Sequence, residues 1–130
     1  MAPPSGKYVV AVVDDDSRVL KSLGLLLESA GYEARLYSSA ETLLKIDGGL
    51  ADLDCLISDI DMPIKDGFEL QRAANAAMPS LPVILITGRH DLAKLARTAG
   101  HRADGLFQKP FHGPDLLQAV SKAVESSTRY

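Results

Sequence analysis

The sequence holds a single cysteine, Cys55, no long apolar run and no basic tract. One cysteine excludes an internal disulfide, and its place inside an apolar stretch makes it a small buried hydrophobe, at home in a reducing cytosol. The longest apolar run, Tyr8 to Val13, falls far short of the roughly 20 residues that span a bilayer. The opening "MAPPSGK" has no apolar centre of the signal-peptide kind, so 1–6 read as a loose leader. Lys plus Arg number 14 against 17 for Asp plus Glu, a formal net charge of −3. A mildly acidic chain without a basic cluster is not built to wrap nucleic acid, and no DNA-reading element is present. His90, His101 and His112 lack the spacing of metal ligands, and His112 falls where it would cap or precede the last helix. There is no internal repeat or low-complexity segment, and 130 residues suit one domain, 7–127, with 128–130 as a tail.

What is present is an alternation of short apolar runs with helical patterns. "YVVAVV" (Tyr8–Val13) is β-branched and continuous, as in a strand buried on both faces. Val19, Leu20, Leu23, Leu26, Leu27 and Ala30 then recur at helical spacing and stop at Gly31. "YEARLY" (Tyr32–Tyr37) predicts a second strand. "SAETLLKI" predicts a short helix capped by Ser39, and "DCLISD" (Asp54–Asp59) a third strand. A helix is expected over Gly67–Ala77, with Phe68, Leu70, Ala73, Ala74 and Ala77 inward. "PVILIT" (Pro82–Thr87) predicts a fourth strand and "HDLAKLARTAG" a weakly apolar helix. "DGLFQ" (Asp104–Gln108) predicts a fifth strand, less apolar and so at an edge. The last helix is expected over Asp115–Ser126, with Pro114 near its start. Strands joined by helices run parallel with right-handed crossovers, so the fold class is α/β, a doubly wound parallel sheet.

In such a sheet, ligands bind at the carboxyl ends of the strands. The first strand delivers Asp14, Asp15 and Asp16 there; the third delivers Asp59, with Asp61 just beyond. The fourth delivers Thr87, then Gly88, and the fifth Lys109, then Pro110. Taken alone, "DDD" reads equally well as a solvated turn capping the next helix. With Asp59, Thr87 and Lys109 on the same edge, it reads as a site. Clustered carboxylates repel one another, and a hard cation such as Mg²⁺, which takes oxygen ligands, relieves them. Asp59 could then attack phosphorus to form an acyl phosphate, with Mg²⁺ and Lys109 spreading the charge and Thr87 bonding a phosphate oxygen.

"VVDDD", "SDIDMPIKDG", "VILITG" and "ADGLFQKPF", in this order and spacing, resemble the receiver domain of bacterial two-component response regulators from Tyr8 to about Glu125. "SAETLL", "DGFELQ" and "LPVILITG" are most similar to the subgroup whose longer members carry a helix-turn-helix output domain. The resemblance implies a flavodoxin-like sheet of strand order 2-1-3-4-5, with Asp59 as phosphoacceptor. It implies Mg²⁺ held by Asp15 and Asp59, by Asp14 through water and by the backbone carbonyl of Asp61. Thr87 and Lys109 are the matching hydroxyl and lysine, with a cis peptide between Lys109 and Pro110. It further implies a sensor histidine kinase as donor, a cytoplasmic switch rather than a metabolic enzyme, and an output domain or protein partner. A homodimer would use the face of the fourth helix, fifth strand and fifth helix.

Two positions depart from the family pattern. Leu106 stands where an aromatic switch residue is usual, with Phe107 beside it. Asp61 is an unusual acid two past the phosphoacceptor, and an ion pair with Arg89 across the mouth of the site is expected. Two other readings remain open. "DID" after an apolar strand also resembles the nucleophile motif of haloacid-dehalogenase-type phosphatases, although the order of motifs differs. A receiver-like binding module that does not use phosphate is the other, supported by Leu106.

Overall fold

A computed structural model describes residues 7–46, 49–62, 66–88 and 105–127. Five strands form one parallel sheet in the order β2-β1-β3-β4-β5. They are β1 (Val9–Val13), β2 (Glu33–Tyr37), β3 (Cys55–Asp59), β4 (Val83–Thr87) and β5 (Gly105–Gln108). The three central strands are buried at every residue, whereas β2 and β5 at the two edges are partly exposed. This is why the central runs are continuously apolar and the edge strands are not. The described helices are α1 (Ser17–Ser29), α2 (Ala40–Leu44), α3 (Gly67–Ala77) and a last helix over Gly113–Ser127. The helix expected over His90–Gly100 lies outside the described residues.

Alternate strand residues feed two separate cores, as the two-residue period of a strand requires. On one face Val10, Val12, Ile57, Ile84 and Ile86 meet Leu20, Leu23 and Leu27 of α1 and Leu116 and Val120 of the last helix. On the other, Ala11, Val13, Leu56, Val83 and Leu85 meet Ala40 and Leu43 of α2 and Leu70 and Ala74 of α3. Helix α1 ends as its sequence demands. Gly31 takes φ +91°, its N–H bonds the Glu28 carbonyl and the Tyr32 N–H bonds the Leu27 carbonyl, closing a Schellman motif.

Some expected boundaries and faces shift. The first strand begins at Val9 and the last helix at Gly113, so Pro114 falls inside its first turn, where a missing N–H costs nothing. The His112 carbonyl accepts the first N–H groups of that helix, from Asp115 and Leu116. In α3 the buried stripe is Gly67, Leu70, Gln71 and Ala74 with Phe68, so Ala77 is exposed and Met78 packs partly against the core instead. Gln71 is a buried residue that polarity had hidden.

The start of α3 fixes the end of β3. Asp66 caps the helix, its side chain accepting from the Glu69 N–H at 2.9 Å while the Glu69 side chain accepts from the Asp66 N–H at 3.4 Å. The Gly67 N–H bonds the Ile60 carbonyl at 3.2 Å. A Cβ on Gly67 would stand 2.5 Å from the carbonyl oxygen of Asp59 and 2.8 Å from Cα of Ile60, both backbone atoms. Only glycine lets the helix pass this close. Gly67→Ala is therefore expected to lower unfolding stability by about 1–3 kcal/mol, the usual cost of forced overpacking. Urea denaturation checks it; a change below about 0.5 kcal/mol, typical of an unconstrained surface site, would contradict the contact.

Candidate functional site

The carboxyl edge of the sheet gathers Asp14, Asp15, Asp16, Asp59, Asp61, Thr87 and Lys109. Asp14 follows β1 and continues its ladder by donating its N–H to the Tyr37 carbonyl at 3.1 Å. Its side chain is completely buried and fully engaged. Oδ1 accepts from the Asp16 N–H at 2.9 Å and Oδ2 accepts from Lys109 Nζ at 3.0 Å. Asp16 itself does the capping work, accepting from the Arg18 N–H at 2.9 Å at the start of α1. The capping reading of "DDD" thus holds for its third residue and fails for the first two. Asp15 is exposed, and its carboxylate joins those of Asp14 and Asp59 in a cluster whose ligand atoms all lie within 4.8 Å of one another.

Asp59 ends β3 and is 3% exposed. Its Oδ1 accepts from the Asp61 N–H at 3.3 Å, and its Oδ2 is 3.4 Å from Lys109 Nζ. The ammonium of Lys109 is therefore shared between Asp14 and Asp59 and sits nearer the former. Burial pushes the Asp59 carboxyl above the ordinary carboxylate range, and the charge of Asp14 pushes it further; Lys109 offsets only part of this. Burial works against the charge on Lys109, but its hydrogen bond to Asp14 and the charges of Asp59 and Asp14 prevail and hold its pKa above the usual lysine value. Lys109 continues the β4–β5 pairing by donating its N–H to the Thr87 carbonyl at 2.6 Å, and the Lys109–Pro110 peptide bond is cis.

Among the described residues, the three clustered carboxylates are met by the Lys109 ammonium, which contacts Asp14 and Asp59, so negative charge is in excess there. Hard oxygen donors, one of them solvent-facing, fit a divalent ion of the Mg²⁺ type, which keeps part of its water shell. The carboxylate of Asp61 is turned elsewhere. Its Oδ2 accepts from the Thr87 hydroxyl at 2.8 Å and from the Gly88 N–H at 3.2 Å. Thr87, at the end of β4, is completely buried. Sequence reading paired Asp61 with Arg89, which lies outside the described residues, and did not foresee its bond to Thr87. The role of Gly67 was also missed, for nothing in a linear sequence announces a close helix–strand approach. The Asp66–Glu69 capping box was legible from its spacing and was passed over.

Leu106 and Phe107 point to opposite faces of β5, Leu106 packing against the core shared with α2 and α3, Phe107 against the core shared with α1. Phe107 therefore cannot stand in for an aromatic ring at position 106. No helix among the described residues is long and apolar enough to cross a membrane.

The chain is similar to known proteins in sequence and in fold. The chain is 36% identical over 117 residues to the response regulator protein TmoT of Ectopseudomonas mendocina, covering 90% of this chain and 53% of that protein. It is 30% identical over 118 residues to the transcriptional regulatory protein FixJ of Bradyrhizobium diazoefficiens, covering 91% of this chain and 57% of that one. The chain thus spans about half the length of the curated relatives it matches. Among solved structures, the signal receiver domain of an HD domain-containing protein from Pseudomonas fluorescens Pf-5 superposes with a TM-score of 0.84 at 27% identity, covering 95% of this chain and 99% of that one. The family model of the response regulator receiver domain matches residues 10–121, and this chain belongs to that family.

Proposed function

We propose that the chain is a phosphorylation-dependent switch that accepts a phosphoryl group on Asp59 from a sensor histidine kinase. The observation that carries the reading is the gathering of Asp14, Asp15 and Lys109 around Asp59 at the carboxyl edge, with the strand-end hydroxyl of Thr87 bonded to Asp61 two residues beyond it. Asp59, Lys109 and Thr87 are the residues of the transfer, and Asp14, Asp15, Asp59 and the Asp61 carbonyl are the metal set. Bound there, Mg²⁺ would neutralise the carboxylates and screen the incoming phosphoryl oxygens.

The chain's own residues supply the rest. A carboxylate oxygen of Asp59 bonds to phosphorus as the bond to the donor's imidazole nitrogen breaks, and that electron pair leaves with the imidazole. Lys109, held by Asp14 and close to Asp59, follows the charge onto the phosphoryl oxygens. Thr87 offers its hydroxyl to one of those oxygens. Receiver domains are regulators rather than metabolic enzymes, and this chemistry serves a shift between two states of the domain. The partners we propose are the kinase, an output domain or protein, and a second copy of the chain on the face of the fourth helix, β5 and the last helix. The setting is the cytoplasm, where such a kinase presents its phosphohistidine.

Intact mass after incubation with Mg²⁺ and acetyl phosphate tests the chemistry. One added phosphoryl group is expected, absent in Asp59→Asn and absent when EDTA removes the metal. A folded protein with no adduct would count against the reading, and many turnovers of free phosphate would favour a phosphatase.

A second prediction follows from the crowded charge. Because the folded state holds the Asp59 carboxyl above its unfolded value, ionised Asp59 destabilises the fold above that raised pKa and not below the unfolded one. In EDTA at neutral pH, Asp59→Asn is expected to raise the thermal midpoint, and the gain should vanish on acidification. Adding Mg²⁺ should stabilise the parent chain more than the variant. An unchanged or lowered midpoint in Asp59→Asn at neutral pH would show that the cluster is already compensated.

A further inference from the structure

We infer that Asp61 is a built-in anion that occupies the phosphoryl-oxygen position beside Asp59 until phosphate displaces it, an inference that rests on Asp59 being the phosphoacceptor. One carboxylate oxygen of Asp61 accepts two hydrogen bonds, from the Thr87 hydroxyl at 2.8 Å and from the Gly88 N–H at 3.2 Å. Two donors from consecutive residues meeting on one charged oxygen make a small anion seat. The seat adjoins the nucleophile. In the β3–β4 register Asp59 lies beside Ile86, so Thr87 and Gly88 are the next groups beyond it. Asp61 is tied to the nucleophile as well, through its own N–H to Asp59 Oδ1 at 3.3 Å.

The same two donors cannot serve both anions. A phosphoryl group on Asp59 brings further negative charge next to Asp61, and its oxygens are stronger acceptors than a carboxylate. Repulsion and competition then act in one direction. Asp61 itself is exposed, so water can receive its carboxylate once phosphate displaces it, whereas Thr87 is completely buried and must keep an acceptor. Each state therefore satisfies the Thr87 hydroxyl, by Asp61 before phosphorylation and by phosphate after it. The latch stabilises the unphosphorylated state and raises the donor strength needed to leave it. An uncharged residue at position 61 removes that threshold.

Beryllium trifluoride, a phosphoryl mimic that does not hydrolyse, gives an equilibrium test. ¹⁵N-labelled protein is titrated with it in the presence of Mg²⁺, following the Gly88 amide, for the parent chain, Asp61→Ala and Asp61→Asn. Losing hydrogen bonds to a charged acceptor corresponds to roughly tenfold in affinity, so Asp61→Ala should bind about tenfold more tightly, with Asp61→Asn between. The Gly88 amide should differ between parent and Asp61→Ala when free and coincide when bound. In a Thr87→Val background the gain from Asp61→Ala should shrink, since the two residues act through one bond. Equal or weaker binding by Asp61→Ala would overturn the latch while leaving the switch intact. Binding by neither would sink the phosphoacceptor reading of Asp59 and this inference together, and binding by Asp61→Ala alone would be the latch in its strongest form.

Discussion

Asp14 is a carboxylate with no exposed surface, and the rest of the site is arranged around keeping it there. A buried charge is tolerated only when it is paired and hydrogen-bonded. Asp14 meets that demand with the Lys109 ammonium and the Asp16 amide. The lysine is thereby drawn to 3.0 Å from Asp14 and left 3.4 Å from Asp59. Burial, and after it the charge of Asp14, pushes the Asp59 carboxyl upward, and the shared lysine offsets only part of this. This shortfall of positive charge is useful. A site whose nucleophile is already neutralised by the chain would have no need of a metal and little response to one.

The scaffold enforces this geometry through strand register rather than through local turns. Parallel pairing brings the ends of β1, β3, β4 and β5 to one edge, so residues far apart in sequence become neighbours without a binding loop of their own. Lys109 follows β5 and Asp14 follows β1, with β3 and β4 between them, and the lysine side chain spans that distance to put Nζ 3.0 Å from Asp14 Oδ2. The start of α3 is held against the end of β3 by the Asp66 cap and by the absence of a side chain at Gly67.

Most of this was legible before any coordinates. The continuous apolar run of the first strand marked it as buried on both faces, because such burial leaves no room for polar alternation, and the less apolar fifth strand was placed at an edge, where it lies. Placing Asp14, Asp15, Asp59, Thr87 and Lys109 at strand ends followed from those same runs. What could not be read was direction. Asp61 carries a charge that sequence alone would send equally to a metal, to Arg89 or to solvent; its bond to Thr87 depends on how a backbone turn aims one carboxylate. Gln71 shows the complementary failure, for position on a helix overrode its polarity. Gly67 shows a third, since a forbidden Cβ leaves no trace in composition.

The two lips of the site differ in what they can transmit. On the lysine side, Lys109 is shared between the buried Asp14 and Asp59. On the hydroxyl side, Thr87 exchanges partners, and its strand carries that exchange inward. Leu85, two residues earlier on β4, shares the face of Thr87 and pairs in register with Leu106. Leu85 and Leu106 belong to the core under α2 and α3, whereas Phe107 packs on the opposite face. An aromatic ring at position 106 could carry such a movement to solvent by rotating. A leucine has no polar tip to expose and stays within the apolar core, so here the strain is relieved by repacking side chains in contact with it. The acid at position 61 bonds Thr87 at the end of β4, and the leucine at position 106 pairs in register with Leu85 of that same strand. A firm hold on the unphosphorylated state at one end suits a responder at the other end that moves only by repacking.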